Sequence, residues 1–160
     1  ERIRPIHAAV ADYTGETQLH ITTSRFANSL FPQSEKYKEE NPDIHEVSSE
    51  TVKVVSLDSL ELDLPARSDG ILKIDVEGSE MEVLLGGRKF ISGQVDWIII
   101  ELAFARRTGG FFLRILNLLD EYGFELANII DIAHSGANQS GLCSFDALFR
   151  RKKNVSAENR

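Results

Sequence analysis

Residues 71–80, Ile-Leu-Lys-Ile-Asp-Val-Glu-Gly-Ser-Glu, decide how this 160-residue chain folds. The apolar residues of 71–76 predict a buried strand, which ends on Asp75, Glu77 and Gly78 as a helix begins. Gly78 has no Cβ, so the backbone can turn sharply or approach a ligand closely there. Ligands bind at the carboxyl ends of strands in open α/β sheets, so the acidic residues indicate a functional site. The pattern equally fits an ordinary strand–turn–helix whose acids only stabilise the helix N-terminus.

The helix that follows carries its own start signal. Ser79 lies three residues before Glu82, which is the spacing of a capping box, and an apolar helical face follows. We therefore predict a helix over 79–91 that is interrupted or closed by the glycines at 86–87. Glu80 and Glu82 are interpreted as helix-cap and surface residues.

The elements on either side alternate between strands and helices. The remaining predicted strands are 3–10, 17–23, 51–57, 95–102, 124–132 and 142–150, and a further helix is predicted at 111–122. The polar residues 24–50 are expected to form a loop or a short solvated helix. The central β–α–β–α–β order predicts a parallel sheet with right-handed crossovers. The last two strands lack a helix between them, so they are expected to pair as an antiparallel hairpin at one edge.

The composition, the net charge and the cysteine count exclude several classes of protein. An apolar fraction of 42% and a charged fraction of 27% are typical of a single soluble domain. The net charge of −7 argues against a nucleic-acid or anionic-membrane surface, and the basic residues 150–153 are too few to change this. The single cysteine, Cys143, excludes an internal disulfide and offers no metal-ligand spacing. No apolar run reaches the ~20 residues of a membrane span, and we expect a cytoplasmic protein.

Four segments resemble the FkbM family of S-adenosylmethionine-dependent methyltransferases. The strongest is Leu72–Gly87, which is similar to the family's lysine–x–aspartate–x–glutamate–glycine core and its following helix. The others are Ala9-Val10-Ala11-Asp12 with Gly15, Val55-Ser56-Leu57-Asp58-Ser59-Leu60, and Asp146-Ala147-Leu148-Phe149. The resemblance implies an α/β, Rossmann-like class I methyltransferase sheet. This sheet would be mostly parallel, with a C-terminal antiparallel hairpin and with its N-terminal strands missing.

The chain also departs from the pattern of class I methyltransferases. Their glycine-rich turn after the first strand, and the acidic residue that ends the second, do not precede Ile3. We therefore expect residues 1–150 to be the C-terminal portion of a longer methyltransferase domain, and 151–160 to be a basic, disordered tail. Residues 136–141 are glycine-rich, but a strand follows them instead of a helix, so a hairpin connection is the preferred interpretation.

The resemblance implies roles for particular side chains. Asp75 is expected to lie nearest the cofactor, S-adenosylmethionine, and nearest the methyl acceptor, with Glu77 as a second polar contact. Lys73, Asp75 and Glu77 are spaced by two residues, so their side chains would lie on the same face of an extended strand. Lys73 could therefore neutralise the two carboxylates or form a structural ion pair. Ala9 is expected on the adenine side of the cofactor. Glu101, which ends the next strand, is a weaker candidate.

The sequence alone leaves two other functional classes open. Asp75, Glu77 and Glu101 could instead hold a hard cation in a metal-dependent hydrolase or nuclease. The chain could also be a non-catalytic sheet domain that binds a partner. The preferred prediction is methyl transfer to a hydroxyl of a small molecule or carbohydrate, with no metal and no nucleic acid, and with the oligomeric state left open.

Overall fold

The fold is described from a computed structural model, which describes residues 3–62, 64, 69–104, 110–135 and 141–153. Its elements, in chain order, are β1 (Ala9–Val10), β2 (Gly15–Thr22), α1 (Glu35–Glu40), β3 (Glu46–Val55), β4 (Gly70–Ile74), α2 (Glu80–Leu85), α3 (Arg88–Gln94), β5 (Val95–Ala103), α4 (Phe111–Glu121), β6 (Phe124–Ser135) and β7 (Gly141–Arg151). No helix within these ranges has both the length and the apolar character needed to cross a bilayer.

The first sheet contains β1, β3 and β2 in that order, and it mixes two strand directions. Strand β3 lies parallel to β1 but antiparallel to β2. The helix predicted as one possibility within 24–50 is present as α1, with the Ser34 side chain accepting a hydrogen bond from the Tyr37 N–H. However, β3 begins at Glu46, inside the segment predicted to be loop.

The first predicted strand is much shorter than expected. Only Ala9–Val10 forms β1, whereas residues 3–7 are exposed. Pro5 has no N–H to donate to a neighbouring strand, which disfavours continued pairing at this point.

The second sheet has the order β4–β5–β7–β6. Strands β4 and β5 are parallel and are connected through α2 and α3, whereas β7 pairs antiparallel with both β5 and β6. The predicted C-terminal hairpin is therefore present, with β6 at the edge. The connecting residues 136–140 lie outside the described part of the chain. The main core packs on this sheet and includes Ile74, Ile98, Ile100 and Ile115.

The mostly parallel Rossmann-like sheet predicted from the sequence is wrong. Among the described strands, two pairings are parallel (β1–β3 and β4–β5) and three are antiparallel. The physical reason lies in the pairing partners. Strand β3 pairs with its chain neighbour β2 as a long antiparallel ribbon, and β7 enters the second sheet against the direction of β5. The result is a small α/β fold with two mixed sheets.

The two sheets are connected at the junction of α2 and α3. The helix predicted over 79–91 is interrupted here, at Gly86 and Gly87. A Cβ on Gly86 would lie 2.1 Å from the carbonyl oxygen of Ala11, just after β1, so only glycine allows this approach. Asp58 fixes the next turn, because its carboxylate accepts from the N–H groups of Lys89 and Phe90 at 3.1 and 2.8 Å. This is N-terminal capping of α3 by a residue from another segment.

The last residue of β7 fastens the opposite end of the second sheet. The Arg151 guanidinium donates to the carbonyl oxygens of Ile91, at 2.7 Å, and Val95, and it lies 3.4 Å from the Asp96 carboxylate. It also lies over the ring of Phe124, 4.7 Å from its centroid. Arg151 therefore joins the end of α3 to the starts of β5 and β6. Of the predicted tail, residues 154–160 lie outside the described residues.

Candidate active site

The candidate site lies where β4 and β5 end. Strand β4 stops at the buried Ile74, and Asp75 is the first residue beyond it. Glu101 lies near the end of β5, which runs parallel to β4. Because parallel strands end at the same edge of a sheet, the two carboxylates come close together.

Three of the predicted site residues meet at this edge. Asp75, Glu77 and Glu101 each place one carboxylate oxygen so that all three atoms lie within 4.8 Å of one another. Asp75 is exposed, whereas Glu77 and Glu101 are partly buried. Carboxylates at this spacing repel one another unless a cation, a proton or a hydrogen-bond donor lies between them. The arrangement suits donors such as hydroxyl groups, and it has the ligand chemistry for a hard cation.

Lys73 pairs with this group from the side. Its Nζ lies 2.7 Å from Asp75 Oδ2 and 4.0 Å from Asp146 Oδ2. The hydrogen bond to Asp75 raises the pKa of Lys73, and the charges of Asp75, Asp146 and Glu101 act in the same direction against a smaller desolvation effect. Because Lys73 and Asp75 are both half-exposed, the pair stabilises the fold by only about 0–1 kcal/mol. Its main effect is to fix one oxygen of Asp75.

The turn after β4 has an unusual backbone. Glu77 has φ +57° and Gly78 has φ +110°, and Glu77 is the one non-glycine residue of the described chain with positive φ. A left-handed conformation costs an L-residue about 1–2 kcal/mol. Two side chains hold the peptide group between these residues. The Ser29 hydroxyl donates to the Glu77 carbonyl at 2.6 Å, and the Gly78 N–H donates to Glu80 Oε1 at 2.9 Å.

The structure corrects the interpretation of Glu80 and of the helix start. Glu80 is 4% exposed, so it is not a surface residue, and its partner is the Gly78 N–H. Burial raises the pKa of Glu80, against the effect of hydrogen bonds from the Gly78 N–H and from its own N–H, and the charges of Glu101 and Glu82 raise it further. The capping box is also absent, because the Ser79 hydroxyl donates backwards to the Val76 carbonyl instead of capping α2. The Ser79 hydroxyl and the Glu80 carboxylate are therefore both buried, and both bond to backbone groups of the turn.

Two further carboxylates belong to the same edge and were missed by the sequence analysis. Glu101 lies opposite Asp146 in the β5–β7 register, and Asp146 lies opposite Asp131 in the β6–β7 register. All three line a cavity of about 250 Å³ together with Asp75, Ala133, Ser144 and Phe145. Like charges directly opposite in a sheet are destabilising, so this row is unfavourable for folding alone. The alternation of side chains along β7 shows which residues share a face with Asp146. Only the register with β5 and β6 shows that Glu101 and Asp131 lie beside it.

Ala9 lies in a different part of the molecule from these side chains. It is half-buried in β1 and pairs with Val54 in the first sheet, whereas Asp75 follows the second sheet. The described contacts between these two regions include the packing of Ala11 on Gly86 and the hydrogen bond from the Ser29 hydroxyl to the Glu77 carbonyl. The predicted roles of Ala9, Asp75, Glu77 and Lys73 toward a cofactor or an acceptor remain predictions.

Comparison with protein families identifies the class of protein. The family model described as the methyltransferase FkbM domain matches residues 1–126, which include β4, the turn with Asp75 and Glu77, and β5 with Glu101. The chain belongs to the FkbM methyltransferase family. The resemblance predicted from the sequence is thus confirmed, and family membership supports methyl transfer in general. Neither a curated protein nor a solved structure gives a significant match. Asp131 and Asp146 lie beyond the matched residues.

Proposed function

We propose that this chain takes part in S-adenosylmethionine-dependent methyl transfer to a hydroxyl group of a small molecule or carbohydrate, as part of a cytoplasmic enzyme. Membership of the FkbM family supports methyl transfer. The observation that carries the finer assignment is the meeting of Asp75, Glu77 and Glu101 at the ends of β4 and β5. Hydroxyl groups are donors, and three carboxylates form a surface that accepts hydrogen bonds.

The chemistry of this edge suits both the cofactor and the acceptor. S-adenosylmethionine, when bound, supplies an electrophilic methyl group on a positively charged sulfonium, and a carboxylate-lined cleft favours positive charge. The cavity of about 250 Å³ is at the small end of ligand sites, which suits an acceptor better than a whole cofactor. We assign Asp75 and Ala9 as cofactor contacts. We also propose that the glycine-rich turn of class I methyltransferases lies outside these 160 residues.

In this proposal the protein orients an acceptor hydroxyl and removes its proton. Asp75 Oδ2 is held by Lys73, so Oδ1 is the oxygen that faces the acceptor. S-adenosylmethionine would supply the methyl group to the acceptor oxygen, and Asp75 would take up the proton of the acceptor hydroxyl. Glu77 accepts a hydrogen bond from a neighbouring hydroxyl, which fixes the direction of attack. The Lys73 charge limits the repulsion between the carboxylates.

The test is methyl transfer from isotope-labelled S-adenosylmethionine to a panel of sugars, polyols and phenols, using the full-length protein that contains this chain. Asp75→Asn should lower turnover about 10²–10⁴-fold with little change in thermal midpoint, because the amide preserves volume but cannot act as a base. Asp43→Asn is the matched control, since Asp43 is an exposed aspartate that neither belongs to the carboxylate group nor lines the cavity. Wild-type turnover in Asp75→Asn would refute the role of Asp75. No labelled product with any acceptor would refute the proposed reaction.

The carboxylate geometry also supports a second candidate function, a metal-dependent hydrolase that uses Asp75, Glu77 and Glu101 as ligands. The two functions respond oppositely to a chelator. Methyl transfer that continues after removal of divalent cations supports an organising role for Asp75. Hydrolytic activity that disappears with the chelator and returns with Mg²⁺ or Mn²⁺ would favour the second candidate.

A further inference from the structure

The peptide group between Glu77 and Gly78 is held from both of its sides. Its carbonyl oxygen accepts from the Ser29 hydroxyl at 2.6 Å, and its N–H donates to the Glu80 carboxylate at 2.9 Å. Ser29 and Glu80 are 5% and 4% exposed, so water competes little for either hydrogen bond. One side chain comes from 48 residues upstream and the other from the first turn of α2.

Ser29 is itself held firmly in place. Its backbone pairs in both directions with that of His20 in β2, at 2.8 and 3.2 Å. Its Oγ also accepts from the Phe31 N–H at 3.1 Å, which fixes the side-chain rotamer and directs the hydroxyl proton toward Glu77. The hydroxyl therefore has a set orientation before it meets the turn.

We propose that Ser29 and Glu80 are positioning residues, which together fix the orientation of the Glu77–Gly78 peptide and so hold the Glu77 carboxylate beside Asp75 and Glu101. Rotation of this peptide would change ψ of Glu77 and φ of Gly78. Positive φ is unfavourable for Glu77, an L-residue, so the turn has other conformations of lower backbone energy. Without the two hydrogen bonds, Glu77 would leave the left-handed region and carry its carboxylate away from the site.

This inference rests on the proposed function only for its catalytic consequence, because the peptide geometry can be measured independently. In the full-length protein, amide hydrogen exchange and the ¹⁵N–¹H shift of Gly78 should be compared between wild type and Ser29→Ala. We expect exchange at Gly78 to become about tenfold faster, which corresponds to loss of one hydrogen bond. Ser24→Ala is the matched control, because Ser24 lies in the same segment and its side chain makes no capping hydrogen bond. An unchanged Gly78 amide in Ser29→Ala would overturn the inference.

A misfolded variant would leave the question open, so a second substitution is included. Ser29→Cys preserves the side-chain volume with a weaker donor, and it should alter the Gly78 amide in the same direction by a smaller amount. If Ser29→Ala does not fold, Ser29→Cys decides the structural part of the test. A wild-type Gly78 amide in a folded Ser29→Cys protein would then contradict the inference.

The consequence for catalysis is tested by a double-mutant cycle of Ser29 and Glu77 in the methyl-transfer assay. Ser29→Ala should lower kcat about tenfold with little change in KM, because it loosens Glu77 without removing a binding group. In a Glu77→Gln background the same substitution should have little further effect, since its target has been removed. Equal effects in both backgrounds would show that Ser29 acts independently of Glu77 and would overturn the inference. Absence of any methyl transfer by wild type, together with the expected change at Gly78, would refute the proposed function but not the peptide geometry.

Discussion

Alanine substitutions at Gly86 and at Gly93 should have opposite effects on stability. In Gly86→Ala the new Cβ would lie 2.1 Å from the Ala11 carbonyl oxygen and 2.8 Å from the Cα of Asp12, where ordinary contact begins at 3.4 Å. In Gly93→Ala, within α3, the new Cβ meets no atom within 4 Å. Gly86 has φ −75°, which alanine adopts without strain, so the close approach alone decides its effect.

The magnitudes follow from these distances. The neighbours of Gly86 are backbone atoms, so the two segments must separate by more than about 1 Å. We expect a loss near the upper end of the 1–3 kcal/mol typical of overpacking. Gly93→Ala should stabilise the helix by about 0.5–1 kcal/mol. For a chain of this length, these changes correspond to a thermal midpoint about 6–12 °C lower for Gly86→Ala and about 1–4 °C higher for Gly93→Ala.

Denaturant unfolding and thermal unfolding, monitored by circular dichroism, measure both variants against wild type. The second variant controls for the general effect of removing a glycine from a helical segment. If Gly86→Ala melts within about 2 °C of Gly93→Ala, the packing of Ala11 on Gly86 that connects the two sheets does not exist.

Three further predictions concern the backbone of the site turn, the buried Glu80 carboxyl and the cap of α3. Because Glu77 has φ +57°, Glu77→Gly should be more stable than Glu77→Ala by about 1 kcal/mol in denaturant unfolding, and equal stability would contradict the left-handed conformation. Burial raises the pKa of Glu80, so the folded state binds this proton more tightly than the unfolded state, and the stability it provides is lost as pH rises through the raised pKa. The midpoint of Glu80→Gln relative to wild type should therefore increase with pH in thermal scans, and a pH-independent difference would exclude a raised pKa. Asp58→Ala should lose about 1–2 kcal/mol of unfolding free energy by removing the cap of α3, whereas Asp43→Ala should change it by less than about 0.5 kcal/mol.

The sequence predicted the local elements around the site well. The apolar run before Asp75, the break at Gly86 and Gly87 and the helical stripe of α4 each depend on residues close together in the chain. These signals are short-range and follow from periodicity and backbone propensity. The meeting of Asp75 and Glu77 with Glu101 depends in addition on the parallel pairing of β4 with β5, which the β–α–β order indicates.

The features that the sequence missed depend on long-range pairing. The direction of β3 is set by its ribbon with β2, and a polar stretch such as 46–50 carries little apolar signal of a strand. Asp131 and Asp146 join the site through strand register, which periodicity does not specify. Glu80 is an acid in the first turn of a helix, a position normally exposed, so its burial beneath the turn could not be predicted from its neighbours alone.

The role of Arg151 limits how far the chain can be trimmed. Its side chain satisfies two backbone carbonyl groups, at Ile91 and Val95, and one carboxylate, at Asp96. A chain that stopped at residue 150 would keep almost all of β7 yet leave the last turn of α3 without these donors. The useful C-terminal limit for expression or for fusion to another protein is therefore beyond Arg151, and a tag attached directly to residue 150 would compete with the contacts that close this end of the sheet.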